Sequence, residues 1–179
     1  MSHLRIGRPQ PGEYSDYYRS YVDAVPDGDL LETLEDQGED TLALLRQFGE
    51  DRGGHRYAEG KWSVKEVVGH LSDAERVFAY RALRFARGDE TPLPGFEQDD
   101  YVRAAGFDRR TLADLAEELA DVRKATLKLL MSLREGDLDR AGTASEARVT
   151  VRALAWIIAG HERHHQRVLR ERYLVGAQR

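Results

Sequence analysis

The sequence predicts an all-α fold: a four-helix bundle with a long crossover between helices two and three and a short N-terminal arm. Apolar residues recur at helical spacing over four long segments, as expected for helices that each bury one face. No segment shows the apolar–polar alternation typical of a half-buried strand. The chain has 179 residues, enough for one core, so we expect residues 1–179 to form a single domain.

The arm, residues 1–26, is interrupted by prolines and carries four tyrosines that can pack a short helix across the bundle. Leucine-rich stripes then indicate the first and third bundle helices. The stripe of the first helix is Leu30, Leu31, Leu34, Leu42, Leu45 and Phe48, and that of the third is Leu112, Leu115, Leu119, Val122, Leu129, Leu130 and Leu133. We assign neither a strand nor chemistry to the later connector, residues 135–149.

The second helix has clear start and stop signals. Ser63 and Glu66 form a capping box, and Gly88 ends the helical pattern. The connector from Gly88 to Gly106 is far longer than an antiparallel helix pair needs, so we expect it to cross the bundle and helices two and three to run parallel. Its polar cluster, residues 97–101, is typical of turns and caps, although long loops on a rigid scaffold also shape sites.

The fourth helix contains the run His161-Glu162-Arg163-His164-His165. Histidines four residues apart project from one helix face and can bind one metal ion. The run also reads H-E-x-x-H, the zinc-protease signature, in which the glutamate is the general base. The extended protease motif requires glycine and histidine where this chain has Val168 and Glu171, so the protease interpretation lacks its third ligand.

Helical phase favours His165 over His164 as the partner of His161. With Leu154 at zero and about 100° per residue, His161 falls near 340° and His165 near 20°, on either side of the centre of the apolar face. By the same count of about 100° per residue, His164 falls near 280°, at the margin. Glu162, the candidate catalytic base, projects about 80° from the middle of that face. We therefore expect Glu162 at the surface or beside the ligands.

His70 is the candidate third ligand. It lies on the flank of the apolar stripe of the second helix, about 60° from its centre. His70 lies about two turns from the start of the second helix, and His165 lies about two turns from the end of the fourth helix. Antiparallel packing of the two helices would bring all three imidazoles to one level, as a shared metal requires. The alternative is a structural role, because a lone histidine on an apolar flank is usually hydrogen-bonded to backbone.

Composition excludes several classes of function. The formal net charge is −5, which argues against a general affinity for nucleic acid. Cysteine is absent, so histidine and carboxylate are the strong metal ligands and no cysteine nucleophile is available. No window approaches the roughly 20 apolar residues of a membrane span, and no signal peptide is recognisable. We expect a cytoplasmic protein with no membrane partner.

Three segments, residues 61–71, 75–81 and 159–165, resemble the DinB-like family, which is named for DNA-damage-inducible proteins and is distinct from the polymerase of that name. Residues 12–26 and 94–99 also look like this family. The resemblance implies a four-helix bundle, commonly a homodimer. It further implies a divalent metal held by one histidine of the second helix and two of the last, here His70, His161 and His165.

Three neutral imidazoles leave an open position on a divalent ion such as zinc, nickel or iron. Such a site suits a metal-dependent hydrolase that uses metal-activated water on a small-molecule substrate. One alternative, suggested by the family resemblance, is a transferase or isomerase that uses a low-molecular-weight thiol, since a thiolate can occupy the open position. Another is a non-catalytic binding module in which the metal only staples helices together.

Overall fold

The computed structural model describes residues 4–174, and the first three residues of the predicted arm lie outside this range. The described chain is predominantly helical, and the prediction of an all-α fold is confirmed. None of its helices has the length and apolarity needed to cross a membrane. The helices are α1 Arg19–Ala24, α2 Leu30–Arg46, α3 Val64–Ala86, α4 Gln98–Ala105, α5 Leu112–Met131, α6 Glu135–Leu138 and α7 Val151–Val168, and the strands are β1 Ala141–Ala144 and β2 Ala147–Thr150.

Helices α2, α3, α5 and α7 form the bundle, and each begins at a side-chain cap. An oxygen of the cap residue accepts hydrogen bonds from backbone N–H groups of the first turn, which have no partner within the helix. In α3 the predicted capping box is present, because the Glu66 carboxylate also accepts from the Ser63 N–H at 2.7 Å. The caps are Asp29, Ser63, Thr111 and Thr150.

The crossover makes α3 and α5 parallel neighbours, as predicted. Contacts along the two helices advance in the same direction, from Gly69 against Phe107, which shortly precedes α5, to the ion pair of Glu75 with Arg123. Helix α4 lies within this crossover. In contrast, α3 and α7 are antiparallel, and α2 runs parallel to α7. Each bundle helix therefore has one parallel and one antiparallel neighbour.

The connector that was expected to lack strands contains a β-hairpin, which corrects the sequence-based expectation. Strands β1 and β2 pair antiparallel from Ala141 with Thr150 to Ala144 with Ala147. The turn residues Ser145 and Glu146 have φ of 51° and 63°, a left-handed conformation that non-glycine residues rarely adopt. Neither residue is a usual signal for a tight hairpin, so the sequence pattern gave no indication of this turn.

A layer of polar side chains crosses the bundle between two apolar clusters. One cluster surrounds Trp156 and Phe85, and the other surrounds Leu71, Leu115 and Tyr173. All four bundle helices contribute to the layer, so the three candidate histidines and a buried ion-pair network lie at the same level. The members of this polar layer are Gln37, Thr41, His70, Glu75, Arg123, Thr126, His161, Glu162, His165 and Gln166.

Candidate metal centre

The structure brings His70 of α3 together with His161 and His165 of α7. One ring nitrogen from each residue lies within 4.8 Å of the other two. The Nε2 atoms of His70 and His161 are 3.0 Å apart, and the three ring centroids are separated by 4.6–5.0 Å. His164 is not part of this group, although it is adjacent in sequence to His165. The arrangement agrees with the helical phase of these residues.

Close packing of the N-terminal arm against α7 fixes the ring of His161. A Cβ atom at Gly160 would lie 2.8 Å from the Cα of Tyr21 and closer still to its carbonyl group, so only glycine lets the two backbones approach. The Tyr21 ring then contacts His161 with a centroid distance of 5.6 Å. Phe78 contacts the same imidazole at 5.7 Å. The position of His161 thus depends on α1 as well as on the bundle.

Trp62 covers the other two histidines. Its ring is tilted over His70 at 4.7 Å and stacks on His165 at 6.5 Å, with an angle of 15° between the planes in the second case. Trp62 immediately precedes the cap of α3, so the sequence that starts this helix also supplies one wall of the site. Sequence reasoning did not identify Trp62, Tyr21 or Phe78, because aromatic residues beside a predicted core are ordinarily core residues.

Burial keeps the three imidazoles in the form that binds a metal. It lowers the pKa of His70 to about 4, while the nearby Asp99 carboxylate acts in the opposite direction. Burial and then the neighbouring imidazoles hold the pKa of His161 and His165 well below the usual value. Neutral imidazole is the ligand form of histidine, so at pH 7 the site does not have to lose protons before it binds an ion.

The donor set fits a divalent transition metal. Imidazole nitrogen is a good ligand for zinc, nickel, iron and cobalt, and three such nitrogens converge here. The Nδ1 atom of His165 is buried and has no hydrogen-bond partner among the described residues. A buried polar atom without a partner is costly, and in native proteins such atoms are ordinarily bound by an ion or a water molecule. A metal bound through this nitrogen would remove that cost.

Glu162 lies in the polar layer but is directed towards other helices. Its side chain is buried, which excludes the surface, one of the two positions expected from the sequence. Its carboxylate accepts hydrogen bonds from Gln37 at 2.8 Å and Thr41 at 2.6 Å, and it forms an ion pair with Arg123 at 2.8 Å. Arg123 also binds Glu75 through two nitrogens. Three donors therefore occupy the carboxylate of the candidate base Glu162.

Two cavities meet at the histidines. The first, about 370 Å³, reaches His70 and His161. The second, about 390 Å³, reaches His165 and the half-buried His164. Gln98, at the start of α4, lines both cavities, and the polar cluster of the crossover connector therefore contributes to the walls of the site. The candidate metal centre is therefore reached by two cavities.

Comparison with known proteins gives a family and a set of relatives. The sequence profile of the DinB superfamily matches residues 33–169. A protein of Oceanobacillus iheyensis, named as a presumed metal-dependent hydrolase, is 25% identical over 111 residues. A protein of Bacillus licheniformis with the same designation is 34% identical over 116 residues. Each match spans 61% of this chain and 63% of the relative, so the chain covers less than two thirds of their length.

Three solved structures share the fold. YfiT of Bacillus subtilis, described as a probable metal-dependent hydrolase with an unusual four-helix bundle topology, superposes with a TM-score of 0.70 at 17% identity, covering 86% of this chain and 90% of YfiT. The DinB-like protein YjoA of Bacillus subtilis gives 0.60 at 22% identity, with 84% and 91% coverage. A mycothiol-dependent maleylpyruvate isomerase gives 0.61 at 15% identity, with 80% and 61% coverage. At these identities the likeness shows the four-helix fold.

Proposed function

The chain belongs to the DinB superfamily, and we propose from this premise that it is a metal-dependent hydrolase whose ion is bound by His70, His161 and His165. The convergence of three imidazoles carries the proposal: two of them are buried, and the third, of half-buried His165, has a buried nitrogen without a hydrogen-bond partner among the described residues. The names of the two curated relatives and of YfiT support it. The native ion, the substrate and a cytoplasmic location stay predictions.

The residues of the chain have distinct tasks in this proposal. A divalent ion bound by three imidazoles lowers the pKa of a coordinated water to about 7 and polarises a carbonyl oxygen. The histidines would hold the ion from two helices, and Trp62 and Phe78 pack against their rings. The cavity beside His70 and His161 is large enough to admit a small molecule to these residues.

A second candidate is a transferase or isomerase that uses a low-molecular-weight thiol. The two cavities that reach the histidines favour it, because a thiol and an electrophile could each approach one ion through a cavity of its own. The fold shared with the mycothiol-dependent isomerase gives it further support. A purely structural metal is a weaker candidate, since structural zinc has four protein ligands and the described residues supply three in this group.

Metal analysis tests the central claim. We expect purified protein supplied with zinc or nickel to carry about one ion per chain. His70→Ala and His165→Ala should abolish tight binding. His164→Ala is the matched control, because it removes a neighbouring imidazole outside the group and should leave the ion in place. A wild-type protein that takes up neither metal refutes the proposal, as does loss of metal in His164→Ala with retention in His165→Ala.

Activity assays then separate the two enzyme classes. The metal-loaded protein is assayed against a panel of esters, amides and lactones, and separately for metal-dependent conjugation of a small thiol to 1-chloro-2,4-dinitrobenzene. Hydrolysis that is lost in His70→Ala supports the first candidate. Thiol conjugation without hydrolysis supports the second. Fully metal-loaded protein that is inactive in both assays, with an ion that admits no exogenous ligand, supports the structural role.

A further inference from the structure

The first cavity has a wall of aromatic rings that runs from the surface of the protein to the candidate metal centre. Tyr17 is 71% exposed, and its ring contacts that of half-buried Tyr18 at a centroid distance of 5.0 Å. Tyr18 contacts Phe78 at 6.1 Å, and Phe78 contacts His161 at 5.7 Å. All four residues line the cavity, which therefore has an open end at Tyr17 and an inner end at the histidines. The other aromatic residues of the lining are Tyr21, His70 and Phe96.

Glu97 gives this cavity a negative charge. It is the one Asp, Glu, Lys or Arg residue among the described residues that line the cavity. Glu97 is exposed, as Tyr17 is, so both residues lie towards the open end. Although Glu97 is the N-cap of α4, its side chain caps no backbone N–H group, and within residues 4–174 it forms no ion pair. Its carboxylate is therefore able to bind a cation.

The buried cation Arg81 restricts where a second positive charge can bind. Arg81 is 3% exposed and lies outside the lining, and its Nη2 atom donates to the carbonyl oxygen of Pro94 and to Ser145 Oγ. Burial raises the pKa of the Tyr18 hydroxyl, and the charge of Arg81 acts in the opposite direction, so the guanidinium lies near Tyr18. A ligand cation beside Tyr18 would be repelled. The open end, with the Glu97 carboxylate, is the favourable place.

We propose that the first cavity binds an organic ammonium substrate, with its positive group at the open end beside Glu97 and Tyr17 and its apolar body directed inwards to His70 and His161. The inference deepens the proposed function and rests on it for the reaction. A carboxylate attracts the ammonium group, and the negative face of an aromatic ring attracts it further. The aromatic wall suits an aryl or alkyl body. The formal net charge of −5 adds a general attraction for cations.

Three ligands with one apolar body test the sign of the charge. 3-Phenylpropylammonium, 3-phenyl-1-propanol and 3-phenylpropionate each have a phenyl ring on a three-carbon chain and differ in the charge of the end group. NMR titration of metal-free wild-type protein at pH 7 should show that the ammonium binds at least about fivefold more tightly than the alcohol, and the acid more weakly than the alcohol. Equal affinity for ammonium and alcohol overturns the proposal, as does tighter binding of the acid than of the alcohol.

A charge-removing variant locates the carboxylate. Glu97→Gln keeps the shape of the side chain, so it should lower the ammonium preference to about half of the wild-type value or less, with alcohol affinity within about twofold of wild type. Glu90→Gln is the matched control, because Glu90 is an exposed glutamate of the same connector outside the lining. It should keep the full preference. An undiminished preference in Glu97→Gln, or an equal loss in both variants, overturns the proposal.

A second variant tests the aromatic contact. Tyr17→Leu keeps apolar bulk at the open end but removes the ring, so it should also lower the ammonium preference to about half or less. The ring is mostly exposed, and the fold does not depend on its burial. Tyr57→Leu is the control, because Tyr57 is also exposed and lines the second cavity. A preference that is unchanged in Tyr17→Leu, or lowered equally in Tyr57→Leu, contradicts the proposed position of the ammonium group.

Repeating the titration with zinc separates this inference from the proposed function. A preference for the ammonium ligand that is present only with zinc shows that its nitrogen binds the ion, and it overturns the role of Glu97. A preference that depends on Glu97 in the metal-free protein supports the inference, and if that protein takes up no metal, the proposed function alone is refuted. Protein that binds zinc but shows no preference for the ammonium overturns the inference and leaves the proposed function standing.

Discussion

Substitution of Gly160 by alanine tests how strongly the arm and the metal centre depend on each other. The added Cβ would lie 2.8 Å from the Tyr21 Cα and nearer to the carbonyl carbon and oxygen. Carbon atoms pack at about 3.5–4.0 Å, so α1 must move away by roughly 1 Å. Overpacking of this kind destabilises a fold by about 1–3 kcal/mol. Complete detachment of α1 would expose Val22 and Val25, at about 1.5–3 kcal/mol each.

The assay compares Gly160→Ala with Gly136→Ala. Gly136 lies in a helix, and a Cβ there meets no atom within 4 Å, so its replacement should be neutral or slightly stabilising. For a chain of this size, about 1–3 kcal/mol lowers Tm by roughly 2–12 °C. Thermal unfolding is measured on metal-free protein so that ion binding does not contribute. Zinc affinity is then measured by competition with a chelator.

We expect Gly160→Ala to lower zinc affinity as well as Tm, because the contact of Tyr21 with His161 is displaced together with α1. Gly136→Ala should change neither. If Gly160→Ala has the Tm of the wild type, the close approach of α1 to α7 is not as described. If Tm falls but zinc affinity does not, the arm stabilises the fold without positioning His161.

Three further predictions concern the network, the ion and the assembly. Arg123→Met leaves the carboxylates of Glu75 and Glu162 buried without their cation and should lower the free energy of unfolding in urea by about 3–5 kcal/mol. Arg103→Met, which breaks only an exposed pair with Asp100, should cost less than about 1 kcal/mol, and similar losses in both variants would contradict the importance of the network. Zinc at 100 times its Kd should stabilise the fold by about 2.7 kcal/mol, and an unchanged Tm would show that the ion does not bind the native state preferentially. Sedimentation at micromolar concentration should detect the homodimer implied by the family, and a monomer would rule it out.

Much of the candidate site follows from spacing alone. His161 and His165 fall on the apolar face of one helix, and His70 is placed at their level by the capping box that starts α3 and by antiparallel packing. These are local rules, and they apply because both helices are long and regular. The sequence therefore predicted that the three rings lie together, and the structure shows this. That they bind a metal stays a prediction.

The position of Glu162 could not be obtained in the same way. Helical phase assumes one buried face, but α7 packs against α1, α2 and α3, and its residues are buried continuously from Ala153 to Glu162. A polar residue on a second buried face looks like a surface residue in the sequence. The hairpin was missed because its turn, Ser145 and Glu146, has unusual residues for left-handed backbone.

The polar layer has a consequence for the alignment of the helices along the bundle axis. Apolar clusters above and below it tolerate sliding, because one leucine can replace another in a hydrophobic contact. A slip of α7 by one turn, about 5.4 Å, would carry the buried Glu162 carboxylate away from Arg123 and leave it without that cation. Because the ion pairs of Arg123 fix the axial positions of α3 and α7, they also fix the levels of His70 and His161 on these helices. The network thus favours one axial register of the helices, and this register sets the spacing between the imidazoles.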